Sequence, residues 1–339
     1  MDSHTKPRIW TRADSGACLL CVAVSALLAV APHLAVWARY GTLEYLADDD
    51  DVLYLAIARI PYHGENVLRD PFCSREEQVP CLFAWLQFVP LAKLTRLLGL
   101  PPILMALVWR ALGGVLFGGS LYVLFRRLMA GTRRPVAWAL GCSLIGLSDA
   151  GFVGGRPLIV NWGFLMQLLG GTVPAGKPDA LAQYRVVTPL LNLPFLLLLV
   201  AALHPSVRDR RKAVLMGAGL LGLCFLLYFF FWTAAVVALG GYLVSQLVLV
   251  WGASRERRAE PLRRAQVAAA VLTGGMLIGA PQVYSNAQTF ADVRYRPILE
   301  RLSRGERVPP QDPARWRYAK NIWAWGKIAI GAAAILVAG

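Results

Sequence analysis

The stretch Ala17–Trp37, ACLLCVAVSALLAVAPHLAVW, is followed after a short polar connection by Asp48-Asp49-Asp50-Asp51. Read together, the two decide the fold. A helix needs about 20 predominantly apolar residues to cross the hydrocarbon core of a bilayer, and this run supplies them. It has no clean small-residue cleavage site before Trp37, so it reads as a retained span and not as a signal peptide. Residues 1–16, with Lys6, Arg8 and Arg12, then form a cytoplasmic N-terminus, and the four aspartates stand on the far side of the membrane.

Composition extends this reading to the whole chain. Of 339 residues, 57% are hydrophobic, and the mean hydropathy is +0.50. The apolar residues come in long runs, whereas a soluble domain would hold them in short periodic stripes. An all-α polytopic membrane protein follows. The net charge of +15 does not point to nucleic acid, because the basic residues gather between apolar runs, the pattern that cytoplasmic loops produce. Six cysteines make no disulfide framework. Cys18 and Cys21 lie inside the first run, lipid-facing or packed, while Cys73 and Cys81 fall in a polar outer stretch where a disulfide is permitted but spacing does not set it.

Residues 38–102 form the first outer loop. Within it Val79–Leu100 is hydrophobic, yet it carries Lys93 and Arg96 and ends at Pro101-Pro102. An amphipathic helix lying in the interface fits this better than a crossing. As a crossing it would turn Arg126-Arg127 and Arg133-Arg134 outward, against the charge rule. The remaining spans are then Ile103–Phe125, Val136–Phe152, Thr188–His204, two helices from Ala213–Trp251 split near Tyr228–Thr233, Val267–Tyr284, and Trp325–Gly339. With the first, that makes about eight crossings in a single transmembrane domain. Residues 285–326 form a basic outer loop, with Arg294, Arg296, Arg301 and Arg304 among its cations, which suits a phosphate near the outer leaflet. The chain stops inside an apolar run, which reads as a truncated or minimal form.

The aspartates carry the chemistry. Val52–Ile60 reads as a short helix with the acidic run at its N-cap and first turn, where the helix dipole and free N–H groups favour carboxylates. That accounts for one or two aspartates. Four adjacent like charges repel, and the surplus points to a bound cation or a need for a base.

The order of features resembles the GT-C superfamily of membrane glycosyltransferases, especially the branch of protein mannosyltransferases and lipid A aminoarabinose transferases. The matching residues are Asp50-Asp51-x-x-Tyr54, the amphipathic Pro80–Gly99, Trp109-Arg110-Ala111-Leu112, and Phe125-Arg126-Arg127-Leu128. Beyond Leu128 only the hydropathy rhythm continues, with Arg185-x-x-x-Pro189 as a weaker echo. The resemblance implies a sugar donor linked to a polyprenyl phosphate, a divalent cation in many members, and an outer-loop aspartate as general base. Asp50 aligns with that base and Asp51 with its acidic neighbour.

The chemistry of the residues agrees with this expectation. Glycosyl transfer needs a carboxylate to deprotonate an acceptor hydroxyl and a positive partner for the departing phosphate, and a single displacement inverts the anomeric centre. Asp48, Asp49 and Asp50 offer oxygen ligands suited to Mg²⁺ or Mn²⁺. Arg185, Arg69 and Arg110 are the candidates for phosphate contact, since a guanidinium grips phosphate through paired donors. Each has a structural alternative, as an interfacial anchor or, for Arg110, as a partner of the acidic loop. His63, Asp149, Trp162, Tyr228 and Trp232 are weaker candidates. Membrane lipids and a protein, lipid or glycan acceptor are the expected partners. The expected location is a bacterial inner or plasma membrane, with an extracytoplasmic site. The alternatives are a transporter or flippase of a lipid-linked or anionic substrate, and a non-catalytic envelope assembly protein.

Overall fold

The computed structural model describes residues 10–46, 49–66, 68, 85–147, 190–204, 207, 209–227 and 229–292; of Asp49 and Asp50 it describes the backbone. The described residues form helices and no strand. They divide into two compact units, Met1–Val67 with Gln87–Ser206, and Leu68–Leu86 with Val207–Gly339.

The first unit is built around two long helices, α1 (Arg12–Tyr40) and α4 (Met105–Leu128). Thr11 starts α1 with a capping box: its hydroxyl accepts from the Asp14 N–H, and the Asp14 carboxylate accepts from the Thr11 N–H. Gly41 ends it at φ 71°, a left-handed conformation that residues with a Cβ rarely adopt, and its N–H reaches the Trp37 carbonyl. Leu19, Leu20, Leu27 and Trp37 are exposed along α1, as lipid-facing side chains are.

Between α1 and α4 lie α2 (Asp49–Tyr62) and α3 (Trp85–Leu97), and a 3-10 turn (Pro102–Leu104) leads into α4. Two shorter helices follow, α5 (Pro135–Gly146) and α6 (Leu193–Leu203).

Helices α1 and α4 run antiparallel and touch backbone to backbone. A Cβ on Gly114 would sit 2.8 Å from Ala26 Cα, and one on Gly118 would sit 2.4 Å from the Cys21 carbonyl oxygen. Gly114-x-x-x-Gly118 is thus a small-residue seam of the kind that lets membrane helices approach closely. On the other side of α4, Gly113 makes room for Leu190 and Leu191, which lead into α6.

A polar clasp closes the seam at one end. The buried Asp14 carboxylate takes a 2.5 Å hydrogen bond from Arg126 Nε and one of 3.0 Å from the Tyr122 hydroxyl. Cys21 packs beside it against Ala17, Tyr122 and Ala139, with Cys18 at the edge.

The second unit holds α7 (Arg210–Leu227), α8 (Phe229–Gly252), a 3-10 turn (Arg255–Arg257) and α9 (Ala259–Ala291). Its seam is again small residues against large ones: Gly222 faces Ile278, Gly275 faces Leu221, and Gly279 faces Phe225. The long apolar run divides into α7 and α8, as expected, and Trp232 stacks on Phe225 with ring centroids 4.5 Å apart.

Among the described residues the span count falls below the expectation of about eight. Four described helices are long and apolar enough to cross a membrane, Arg12–Tyr40, Pro102–Leu128, Phe231–Gly252 and Ala259–Gln288, and not about eight. Hydropathy overcounts because it measures runs, whereas a crossing needs helix length. The 12 residues of α5 and 11 of α6 fall short of the roughly 20 that a bilayer core requires. Helix α7 has 18 residues, but Arg210, Arg211 and Lys212 occupy its first turn. The expected span at Trp325–Gly339, the basic loop 285–326 beyond Asp292, and the pair Cys73 and Cys81 lie outside the described residues.

Candidate functional site

Pro32 in α1 removes one backbone donor, and the next residue, His33, is a fully buried imidazole inside a span-length helix. A buried polar side chain in such a helix must find partners within the protein. His33 has two. Its Nδ1 lies 2.7 Å from the Leu43 carbonyl oxygen, because the chain turns back after Gly41, and its Nε2 lies 2.9 Å from Arg110 Nη1.

These neighbours fix the tautomer. A carbonyl can only accept and a guanidinium can only donate, so the ring carries its proton on Nδ1 and is neutral.

Arg110, in the second turn of α4, is fully buried. Its Nη2 donates to Asp51 Oδ2 at 2.8 Å, and Tyr45 lies over the guanidinium with its ring centroid 4.9 Å away. Asp51 is 2% exposed. Two opposite charges are therefore held out of water by direct contact, an arrangement whose desolvation cost is offset only while both partners remain. The guanidinium, a candidate for phosphate contact, meets the acidic run, the structural alternative.

The same geometry places Asp51 on the packed face of α2. In α2, Asp51, Tyr54, Ala58 and Pro61 form a buried stripe at helical spacing. Tyr54 meets Phe88 of α3 with centroids 5.9 Å apart, and Phe88 meets Trp109, the neighbour of Arg110, at 6.0 Å. Asp51 thus stands on the face that α2 packs inward. Protonating it would strip Arg110 of its buried counter-charge, so it is ill-suited to act as a base.

A second stripe of α2, Val52, Leu55, Ala56 and Arg59, lines a groove of about 470 Å³ with His63 just after the helix, closed by Leu46, by Pro102 and Ile103 of the 3-10 turn and by Met105 at the start of α4. The wall is apolar except for Arg59 and His63, which are one turn apart and both exposed. Leu46 and Val52 flank the acidic run, so the groove opens beside it. Sequence reading passed over Arg59, His33 and Tyr45. A polar residue inside an apolar run was a usable signal for His33, and the i, i+4 spacing of Arg59 and His63 was one for Arg59.

Of the other expected site residues, Asp48, Arg69, Asp149, Trp162 and Arg185 lie outside the described residues. Helix α3 carries the run expected to lie in the interface. It buries Gln87, Phe88, Val89, Ala92 and Thr95, and Leu97 is left exposed just before Leu98. Among the described residues no group of three or more His, Cys, Asp or Glu gathers at metal-binding distance. The carboxylate oxygens of Asp48, Asp49 and Asp50 are nonetheless the ligand type that hard divalent cations take.

In comparisons with known proteins, no family model matches the chain. Neither a curated protein nor a solved structure matches it.

Proposed function

We propose that this membrane protein transfers a sugar from a polyprenyl-phosphate donor to an acceptor hydroxyl, on the extracytoplasmic side, with Asp50 as general base. The observation that carries the reading is the setting of the acidic run. Asp51 is neutralised by Arg110, and the helix it stands in lines an apolar groove with Arg59 and His63 on its wall.

In this reading the acceptor oxygen attacks the anomeric carbon as the bond from that carbon to the phosphate oxygen breaks. Asp50 takes the hydroxyl proton, and the phosphate leaves with the electron pair. One displacement inverts the anomeric centre. Arg59 offers the phosphate of the bound donor a guanidinium, and the apolar wall suits the first isoprene units of the donor. A divalent cation held by Asp48, Asp49 and Asp50 would add charge neutralisation at the phosphate. Asp51 acts as a positioning residue, fixing the start of α2 to α4.

The test uses purified protein in nanodiscs with a panel of polyprenyl-phosphate sugars and Mg²⁺ or Mn²⁺, following release of polyprenyl phosphate. Turnover by the wild type, lost in a folded Asp50→Asn variant, is the expected result. Donor binding without turnover under any condition would replace this reading with transport or a non-catalytic role.

A further inference from the structure

The second unit carries a cluster of cations that the transferase reading does not use. Helices α7, α8 and α9 follow one another through short connections, and the seam residues of α7 and α9 rise in the same order along both helices, so these two run parallel. The first turns of α7 and α9 and the last turn of α8 therefore share one end of the unit. That end holds Arg210, Arg211, Lys212, Arg255, Arg257, Arg258, Arg263 and Arg264 against Asp209, Glu256 and Glu260.

The carboxylates are not evenly distributed among these cations. Glu260 accepts from Arg263 at 2.8 Å and from Arg264 at 2.9 Å. Asp209 caps α7, accepting from the N–H groups of Arg211 and Lys212. Arg255, Arg257 and Arg258 are exposed, and none has a carboxylate partner among the described residues. Arg258 is held in place by an Nε hydrogen bond to the Ala253 carbonyl at 2.8 Å.

A second observation says what meets them. Trp251, in the last turn of α8, is 89% exposed, and Val248 and Leu249 before it are exposed as well. An outward tryptophan at the end of a membrane-length apolar helix marks headgroup depth. The three arginines follow it within about two helical turns, at the level where lipid phosphates lie.

We propose that Trp251, Arg255, Arg257 and Arg258 form a binding site for the phosphate headgroup of an anionic phospholipid in the adjoining leaflet. The indole seats against the glycerol and upper acyl region, and the guanidiniums take the phosphate through charge-assisted hydrogen bonds.

The experiment purifies the full chain from mixed micelles containing equimolar phosphatidylglycerol and phosphatidylcholine, and counts retained lipids by mass spectrometry. The expected result is an enrichment of phosphatidylglycerol of about five-fold, falling to near parity in Arg255→Gln/Arg257→Gln/Arg258→Gln. The charge-conserving variant with Lys at the same three positions keeps most of the enrichment. A control that removes equal charge in the first unit, Arg127→Gln/Arg133→Gln/Arg134→Gln, leaves it intact. Enrichment that survives the first variant, or falls equally in the control, overturns the proposal. So does its complete loss to inorganic phosphate at constant ionic strength, which would mark a site for the free anion.

Discussion

Asp51 and Arg110 stand 59 residues apart in the chain, yet Asp51 Oδ2 accepts from Arg110 Nη2 at 2.8 Å with both side chains almost wholly out of water. The contact ties the short helix bearing the aspartate run to the long helix that crosses behind it. It also commits Asp51 to a structural partner.

Removing one partner should therefore harm more than removing both. Asp51→Asn leaves Arg110 buried without its counter-charge and is expected to cost about 3–5 kcal/mol of stability. The pair Asp51→Leu/Arg110→Met should recover most of that loss. Thermal unfolding of Asp51→Leu, Arg110→Met and the double variant in one detergent measures the coupling. A double variant as unstable as the sum of its singles would show that the two residues do not stabilise each other.

His33 should be found protonated on Nδ1 and not on Nε2. Nitrogen-15 shifts of labelled His33 distinguish the tautomers directly, and an Nε2-protonated ring would contradict the orientation of the Arg110 guanidinium. Replacing it by Phe strands buried hydrogen-bonding groups on Leu43 and Arg110, at an expected cost of about 1–3 kcal/mol.

Two neighbouring glycines in α4 should respond with opposite signs. A Cβ on Gly118 meets the Cys21 backbone at 2.4 Å, whereas one on Gly119 finds Val22 at an ordinary 3.5 Å. Gly118→Ala forces α1 away and should destabilise by about 1–3 kcal/mol. Gly119→Ala should be neutral or stabilise by up to about 1 kcal/mol, from helix propensity alone. Equal melting temperatures would mean that the seam is not closed in the membrane protein.

Within the transferase reading, Asp50→Asn should lower kcat by about 10²–10⁴ while leaving unfolding temperature unchanged. Arg59→Gln should instead raise KM for the donor about tenfold, equivalent to 1.4 kcal/mol, with kcat little altered. Steady-state kinetics with varied donor separates the two roles. A kcat effect of similar size at Arg59 would place its guanidinium in the chemical step.

Much of this was legible beforehand where a single segment holds the information. The first span, the helix opening in aspartates, and the division of the long apolar run into two helices all follow from local composition. Gly114-x-x-x-Gly118 was equally open to view, but an apolar run read only for length hides its small residues. The convergence of His33, Tyr45, Asp51 and Arg110 was not legible, because it depends on how α1 and α4 align, and no local pattern encodes that alignment. Among the described residues the span count came out lower for a related reason: hydropathy registers length of run, whereas the helices found at Val136–Phe152 and Thr188–His204 have 12 and 11 residues.

The two ends of α1 each carry a buried polar group whose partner is made much later: Arg110 comes 77 residues after His33, and Arg126 comes 112 residues after Asp14. During synthesis, α1 therefore enters the bilayer before either arginine partner has been made. The two buried groups can be matched together only if the later helix arrives in the opposite direction and in one register. A first helix inserted backwards would meet neither arginine. Orientation of the earliest segment is thus verified by a segment translated afterwards, so the chain carries its own proofreading of topology.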